Sequence, residues 1–484
     1  MRILAATSEL HPYSKTGGLA DMVAGLSNSL AEQGHEVRIV TPLYKCVRES
    51  VANLKPFDWK MQLPLGAQTI EAKVWTIHPR DNLTIYFIDQ PDFFNRDGLY
   101  QTEQGGFPDN PDRFIFFSKA VTHLARYLDW RPDILHLHDW QSALIPLLVR
   151  HQSTNEGWEN PPATCLTIHN LAYQGVCDKS HFDNTNLPWD HFTPDGVEFF
   201  GSINFLKAGI VYSDWVSTVS RKYASEILTP EFGCGLEAIL TKRISTLSGI
   251  LNGVDYGEWN TTNNPFIPFQ YSAGNLDGKS KNKMALQRSL GLKVDSNVPF
   301  FGTISRLAEQ KGLHLLIKTL RELNLNQMQF VLLGTGDVSL ANQFNNLAKE
   351  FPQNVAIHIG YDRQLAHLIE AGTDFFVMPS LYEPCGLNQL YSLRYGSIPI
   401  VRATGGLDDT IQDIDSSGAP GTGLKFLNPL ASELTETMRR ALRLYPTSNF
   451  KRCQLMGMKQ DYSWNLSAKS YANLFTNLCM QNLR

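Results

Sequence analysis

The chain has no excess of charge of one sign. Its 43 Lys and Arg against 47 Asp and Glu leave a formal net charge of −4, so no basic surface points to nucleic acid or an anionic membrane as a partner. No apolar run reaches the ~20 residues of a membrane-spanning helix. No C-x-x-C pair occurs, and the seven cysteines (Cys46, Cys165, Cys177, Cys234, Cys385, Cys453, Cys479) are scattered and odd in number. That argues against a disulfide framework and suits a reducing cytoplasm. The amino terminus runs into a strand-like segment without a signal-peptide pattern, so a cytoplasmic location is expected. Low-complexity segments and short-period repeats are also lacking. What is there, 43% hydrophobic and 19% charged residues over 484 positions, is a globular chain long enough for two or three domains.

Strand-like and helix-like runs alternate along most of it. Arg2–Thr7 reads as a strand, and Leu19, Met22, Val23, Leu26 and Leu30 recur at helical spacing before Gly34. Val37–Thr41 reads as the next strand. Ile134–His138, Thr164–His169 and Trp215–Val219 continue the pattern. It lapses between about Val254 and Val298, where Trp259–Pro265 is polar and turn-rich. It resumes with Phe300–Ile304, Phe330–Leu333, Val355–Ile359, Phe375–Met378 and Ile398–Val401. The expectation is an α/β protein of two Rossmann-like, doubly wound domains, 1–255 and 256–463, facing across a deep cleft. The helical run 464–484 either finishes the second domain or crosses back to the first.

Ligands of such sheets bind at the carboxyl ends of strands, so the residues there are the candidates. After the first strand come Lys15, Gly17 and Gly18. Glycines at a helix start let backbone N–H groups approach a phosphate, and a lysine adds charge. The alternative is a glycine turn with a solvated lysine. After Phe300–Ile304 come Arg306 and Lys311, two cations that can neutralise a diphosphate leaving group. Pro379–Asn388 places Glu383 at a loop tip before Cys385-Gly386-Leu387; the carboxylate either accepts hydroxyls or is a turn residue. Thr404-Gly405-Gly406-Leu407 offers further N–H donors for phosphate. His136 and His138 share a strand face at metal-ligand spacing, but no third soft ligand falls in a local motif and no metal site is expected. Asp413-Ile414-Asp415 resembles a metal-binding D-x-D and reads as a solvated loop. Segment 153–163, with Trp158, reads as a surface loop or a polymer-binding insertion.

Taken in order, Lys15–Asp21 (KTGGLAD), His136–Trp140 (HLHDW), Ile168–Gly175 (IHNLAYQG), Leu251–Asp255 (LNGVD), Ser305–Leu307 with Gln310–Gly312, Glu383–Leu387 (EPCGL) and Thr404–Leu407 (TGGL) resemble the bacterial glycogen synthases and plant starch synthases. These are retaining glycosyltransferases of family five with the GT-B fold, and the resemblance runs nearly end to end. It implies transfer of glucose from ADP-glucose to the non-reducing-end 4-hydroxyl of an α-1,4-glucan. No cofactor and no metal are expected, since the Arg, Lys and Gly-Gly loops already supply charge and donors to balance a diphosphate. By the same resemblance Lys15, Gly18, Arg306 and Lys311 would hold the diphosphate. Asp21, His169 and Asn252 would contact the sugar end of the donor. Glu383, Cys385, Gly386 and Leu387 would surround the glucose, and Tyr361 would stack on the adenine. Tyr100 and Asp139 would lie toward the acceptor.

The broader GT-B group carries a second carboxylate eight positions after the first; here that position is Tyr391. A two-carboxylate mechanism is thereby weakened. A front-face substitution, in which the departing diphosphate helps deprotonate the acceptor, is favoured. Two other readings compete. A glucan phosphorylase needs a pyridoxal-phosphate lysine motif, of which there is no sign. A catalytically dead glucan-binding protein would not need Lys15, His169, Arg306, Lys311 and Glu383 together.

Overall fold

Arg2–Ala6 (β1) is buried from its second residue onward, as a strand covered on both faces must be. In the computed structural model, which describes residues 1–102, 105–414 and 421–482, β1 is the middle strand of a nine-stranded sheet. The others are Glu36–Pro42 (β2), Lys55–Leu65 (β3), Gln68–Arg80 (β4), Leu83–Asp89 (β5), Ile134–His138 (β6), Ala163–Ile168 (β7), Trp215–Thr218 (β8) and Leu247–Gly249 (β9). Their order is β9-β8-β7-β6-β1-β2-β5-β4-β3. The chain leaves β1 for β2 on one side and later returns through β6 on the other, each pairing parallel to β1. That reversal creates a crevice beyond the carboxyl ends of β1 and β6.

The β3–β4–β5 meander, antiparallel at both joins, is not among the segments the alternation picks out. β3 is the sheet's edge and exposes much of its length. It carries Pro56, Pro64, Lys55, Asp58 and Lys60, residues that a central strand rejects and an edge tolerates.

The chain divides into two units. Unit 1 is Met1–Val219, Ala224–Gly253 and Trp464–Arg484; unit 2 is Ser220–Tyr223 and Val254–Ser463. In unit 1, Gly18–Glu32 (α1) buries Leu19, Met22, Val23, Leu26 and Leu30. Against α1 packs the last helix, Trp464–Asn482 (here α2), with Trp464 at Gly25 and its buried Tyr471 and Phe475 against the His136 ring of β6. The Gln33 amide donates to the Asn465 carbonyl at 3.1 Å, and the Ser467 hydroxyl donates to the Leu251 carbonyl at 2.6 Å.

Unit 2 is built on six parallel strands: Phe300–Leu307 (β10), Gln329–Gly336 (β11), Val355–Ile359 (β12), Phe375–Met378 (β13), Ile398–Arg402 (β14) and Leu424–Phe426 (β15). Their order is β12-β11-β10-β13-β14-β15. Alternate residues feed opposite faces: Phe301, Phe330, Leu332, Phe375 and Val377 enter one core, and Phe300, Val331, Leu333, Phe376 and Met378 the other. The direction of winding reverses between β10 and β13, which defines this sheet's crevice.

The polar run Trp259–Pro265 is partly anchored in unit 2. Trp259 stacks on Tyr391 (3.8 Å between centroids, 2°) and on His367 (4.1 Å, 17°). Asn264, 2% exposed, donates to the Tyr395 hydroxyl at 2.6 Å. Asn260, Thr261 and Asn264 are buried, whereas Thr262, Asn263 and Pro265 face solvent, so the run is a turn anchored by part of its polar side chains.

Trp464 fills a notch made by two glycines. A Cβ at Gly25 would lie 2.1 Å from Trp464 Nε1, and one at Gly253 would lie 2.5 Å from Trp464 Cα. Overpacking of this kind costs about 1–3 kcal/mol. Gly25→Ala and Gly253→Ala are each expected to lower the thermal midpoint by calorimetry. Midpoints equal to that of the parent chain would contradict this packing.

Candidate active site

In unit 1 the turn between β1 and α1 is organised by Glu9, which is 4% exposed. Its carboxylate accepts the Thr16 N–H and hydroxyl, each at 2.6 Å, and the Gly17 N–H at 3.1 Å. The Tyr100 hydroxyl lies 3.0 Å from Glu9 and 2.7 Å from Ser8 Oγ. Gly17 N–H, expected at a phosphate, is thus taken by a side chain of its own loop. The donors left are those of Gly18 and the first turn of α1, which have no partner within a helix. A Cβ at Gly17 would meet nothing within 4 Å, so the space over the loop is open. Lys15 Nζ is paired with Asp21 at 2.8 Å. The structure therefore joins the expected diphosphate cation to the expected sugar contact.

Beyond β6, Asp139 adopts a left-handed backbone (φ 56°) and accepts the His169 N–H at 2.8 Å. His169 Nε2 lies 3.1 Å from His138 Nδ1. Burial pushes the His169 imidazole down to about 3, so the ring is neutral across the physiological range. Asn252 is 6% exposed, and its Oδ1 is buried without a hydrogen-bond partner among the described residues. Such an atom is costly unless a ligand satisfies it.

In unit 2, Arg306 lies near the carboxyl end of β10 and is exposed, without an ion pair among the described residues. Lys311 follows in a short 3₁₀ turn ahead of the helix Leu313–Glu322 (α3). Its Nζ is 2.6 Å from Glu383 Oε2, which also accepts the Ser380 hydroxyl at 2.8 Å. Glu383 is 6% exposed. Two residues expected to act separately, one on phosphate and one on sugar, form an ion pair. Lysine has three donor protons, so Nζ can keep Glu383 and still donate to a phosphate.

Gly386 sits at φ +71°, in the left-handed region that favours glycine. The Gln389 amide donates to the Cys385 and Gly386 carbonyls at 3.0 and 3.1 Å. Leu387 packs on Val254, Leu390 and Tyr391. Tyr391, at the position of the missing second carboxylate, is 8% exposed and stacked under Trp259. Tyr361 stands 85% exposed after β12, its ring open to a stacking partner.

The structure bears on four further readings. The Thr404–Leu407 turn does not offer a row of phosphate donors: Gly406 N–H is taken by the Glu383 and Pro384 carbonyls, each at 3.1 Å, and Leu407 N–H by Thr404. Its glycines permit close packing, since a Cβ at Gly405 would lie 2.0 Å from the Glu383 carbonyl oxygen. Trp158 is 4% exposed and stacks under Arg126, so it presents no polymer-binding surface. Asp413 pairs with Arg440 at 3.1 Å, and Asp415 lies outside the described residues. His136 and His138 are buried against Thr167 and His169, and no group of three metal-ligating side chains occurs among the described residues. Sequence reasoning missed Glu9, Ser380 and the pairing of His138 with His169; the only signal for Glu9 was a carboxylate in a strand-to-helix turn.

The starch synthase catalytic domain family matches residues 2–242, and the glycosyl transferases group 1 family matches residues 289–452. The chain is 44% identical over 476 residues to a glycogen synthase of Koribacter versatilis (strain Ellin345), covering 98% of both chains. The chain belongs to the glycogen synthase family. A glycogen synthase of Anaeromyxobacter sp. (strain Fw109-5) is also 44% identical, over 99% of both chains. Among solved structures, the catalytic domain of starch synthase IV from Arabidopsis thaliana, bound to ADP and acarbose, superposes with a TM-score of 0.90. It is 35% identical and covers 99% of both chains. The fold of this glycogen synthase relative is therefore GT-B, and the protein is a glycosyltransferase. No helix among the described residues is long and apolar enough to cross a membrane.

Burial pushes the Asp139 carboxyl up to about 7, against the pull of the His169 and Asn170 N–H groups that it accepts. An acid raised in the folded state stabilises the fold fully below its unfolded value of about 4. That contribution is lost as pH rises through about 7. Urea titrations at successive pH values should show stability falling over this range, and Asp139→Asn should flatten the slope. An unchanged slope in the variant would contradict the assignment.

Proposed function

We propose that this protein transfers glucose from ADP-glucose to the 4-hydroxyl at the non-reducing end of an α-1,4-glucan, retaining the anomeric configuration. The observation that carries this reading is the 35% identity, over 99% of both chains, to a starch synthase catalytic domain solved with ADP and acarbose. ADP is the nucleotide product of such a transfer, and acarbose is a mimic of an α-glucan.

In this reading Arg306 and Lys311 neutralise the departing diphosphate, with Lys15 and the N–H groups opening α1 as further donors. Glu383, held by Lys311 and Ser380, accepts hydroxyls of the transferred glucose, beside Cys385, Gly386 and Leu387. Tyr361 stacks on the adenine. Asp21, His169 and Asn252 contact the sugar end of the donor, and Thr404 and Gly405 support the Glu383 loop. Tyr100 and Asp139 order the turn at Glu9 and the His169 backbone on the acceptor's side. With Tyr391 where a second carboxylate would stand, no protein nucleophile is assigned. The diphosphate oxygen takes the acceptor proton as the glycosidic bond forms on the same face. The seven cysteines are all free, which suits work in a reducing cytoplasm.

Radiolabelled ADP-glucose and UDP-glucose offered with glycogen test the reaction. Label from ADP-glucose should enter polymer that an exo-acting α-1,4-glucan hydrolase releases; no incorporation from either donor would overturn the proposal. Arg306→Ala and Lys311→Ala should each lower kcat by roughly two orders of magnitude, as for loss of about 3 kcal/mol of leaving-group stabilisation. Near-normal turnover in both would remove these cations from the mechanism. Activity should survive dialysis against EDTA, whereas loss on chelation and return with magnesium would show that protein cations do not suffice.

A further inference from the structure

His138 is fully buried at the end of β6, and its backbone is fixed by Ser142. The Ser142 hydroxyl accepts the His138 N–H at 2.7 Å and donates to the His138 carbonyl at 2.9 Å. The ring is held as well. The His136 ring lies 4.1 Å from it, centroid to centroid, and is itself anchored by Nε2 at 2.7 Å from Thr167 Oγ1. Among the described residues, one polar contact of the His138 ring reaches another group: Nδ1, 3.1 Å from His169 Nε2. Its other nitrogen, Nε2, is buried without a partner among the described residues.

Two neutral imidazoles joined nitrogen to nitrogen share a single proton in that bond, and each ring carries one proton. There are two ways to place them. If His169 donates from Nε2, His138 accepts at Nδ1 and must carry its own proton on Nε2. That N–H is buried and has no acceptor. If His138 donates from Nδ1, its Nε2 keeps only a lone pair. Orphaned buried N–H groups are the rarer and costlier fault, and an acceptor left unfilled is tolerated more readily. The second arrangement obliges His169 to accept at Nε2 and to carry its proton on Nδ1.

We propose that His138 is a positioning residue that fixes the tautomer of His169, so that His169 meets its substrate as an Nδ1–H hydrogen-bond donor. Burial lowers the basicity of both rings, which keeps this a matter of orientation rather than of proton transfer. His169 then recognises an oxygen acceptor, such as a sugar hydroxyl, and does not serve as a base. The sugar as target rests on the function proposed above; the tautomer does not.

Nitrogen-15 correlation spectra of the full chain, labelled at histidine and recorded without substrate, read the tautomer directly. His169 should show a protonated Nδ1 and an unprotonated Nε2. A protonated Nε2 on His169 would overturn the proposal whether or not the protein transfers glucose. Two isosteric variants then separate positioning from packing. His138→Asn keeps an N–H donor near the Nδ1 position, and should hold both the tautomer and most of the activity. His138→Leu removes it; it should release His169 to a mixture of tautomers and lower kcat roughly tenfold, the order of one hydrogen bond. A leucine variant with the parent tautomer, or with parent kcat, would contradict the role given to His138. Should that variant not fold, the spectrum of the parent chain still decides.

Discussion

A carboxylate withdrawn from water must find donors, and this requirement shapes the candidate residues within each unit. Glu383 is nearly buried at the end of β13, and it is held there by the Lys311 ammonium and the Ser380 hydroxyl. An unpaired charge at that depth would cost several kcal/mol. The loop after β10 and the loop after β13 are therefore tied to each other through one ion pair at 2.6 Å. The glycine at 405 follows from it, because the Glu383 carbonyl occupies the space where a Cβ would stand. Glu9 does the same work in unit 1, gathering Thr16, Gly17 and Tyr100 around one carboxylate. In each unit a buried acid, not a glycine fingerprint, sets the shape of the turn at the sheet's reversal.

This arrangement changes how the charge of the site is counted. Lys15 and Lys311 are each joined to a carboxylate, Asp21 and Glu383. Summing cations along the sequence treats them as uncommitted. They remain donors, since an ammonium has more protons than one carboxylate oxygen engages, but the exposed Arg306 carries the charge that is not already balanced. The histidines follow the same logic in neutral form. His136, His138 and His169 are crowded behind β6 and β7, and burial keeps the rings uncharged.

Much of the fold was legible, because parallel strands buried on both faces leave unmistakable apolar runs. Ile134–His138, Val355–Ile359 and Phe375–Met378 stand in the structure with the bounds their sequence suggests. The β3–β4–β5 meander was not legible, since an edge strand carries prolines and charges that imitate a loop. Trp259–Pro265 is the turn-rich run its composition suggests, but the burial of Trp259's stacking partners and of Asn264 does not show in the sequence. Strand ends and short motifs singled out Arg306, Lys311, Glu383 and His169 as candidates. What they could not convey was pairing. Lys311 and Glu383 are 72 positions apart in sequence, and only the order of strands in the sheet makes β10 and β13 neighbours. The Thr404–Leu407 turn shows the converse, a motif with the look of a phosphate cradle whose N–H groups are filled by its own fold.

In the proposed reaction the Lys311–Glu383 pair stays intact while its lysine, with Arg306, receives the diphosphate. A crystal structure of the chain with ADP tests this most directly. Phosphate oxygens are expected within hydrogen-bond distance of Arg306 and Lys311, with Lys311 Nζ still on Glu383. A diphosphate seated instead on the Thr404–Leu407 turn, or a Lys311 that has abandoned Glu383 to reach it, would contradict the account.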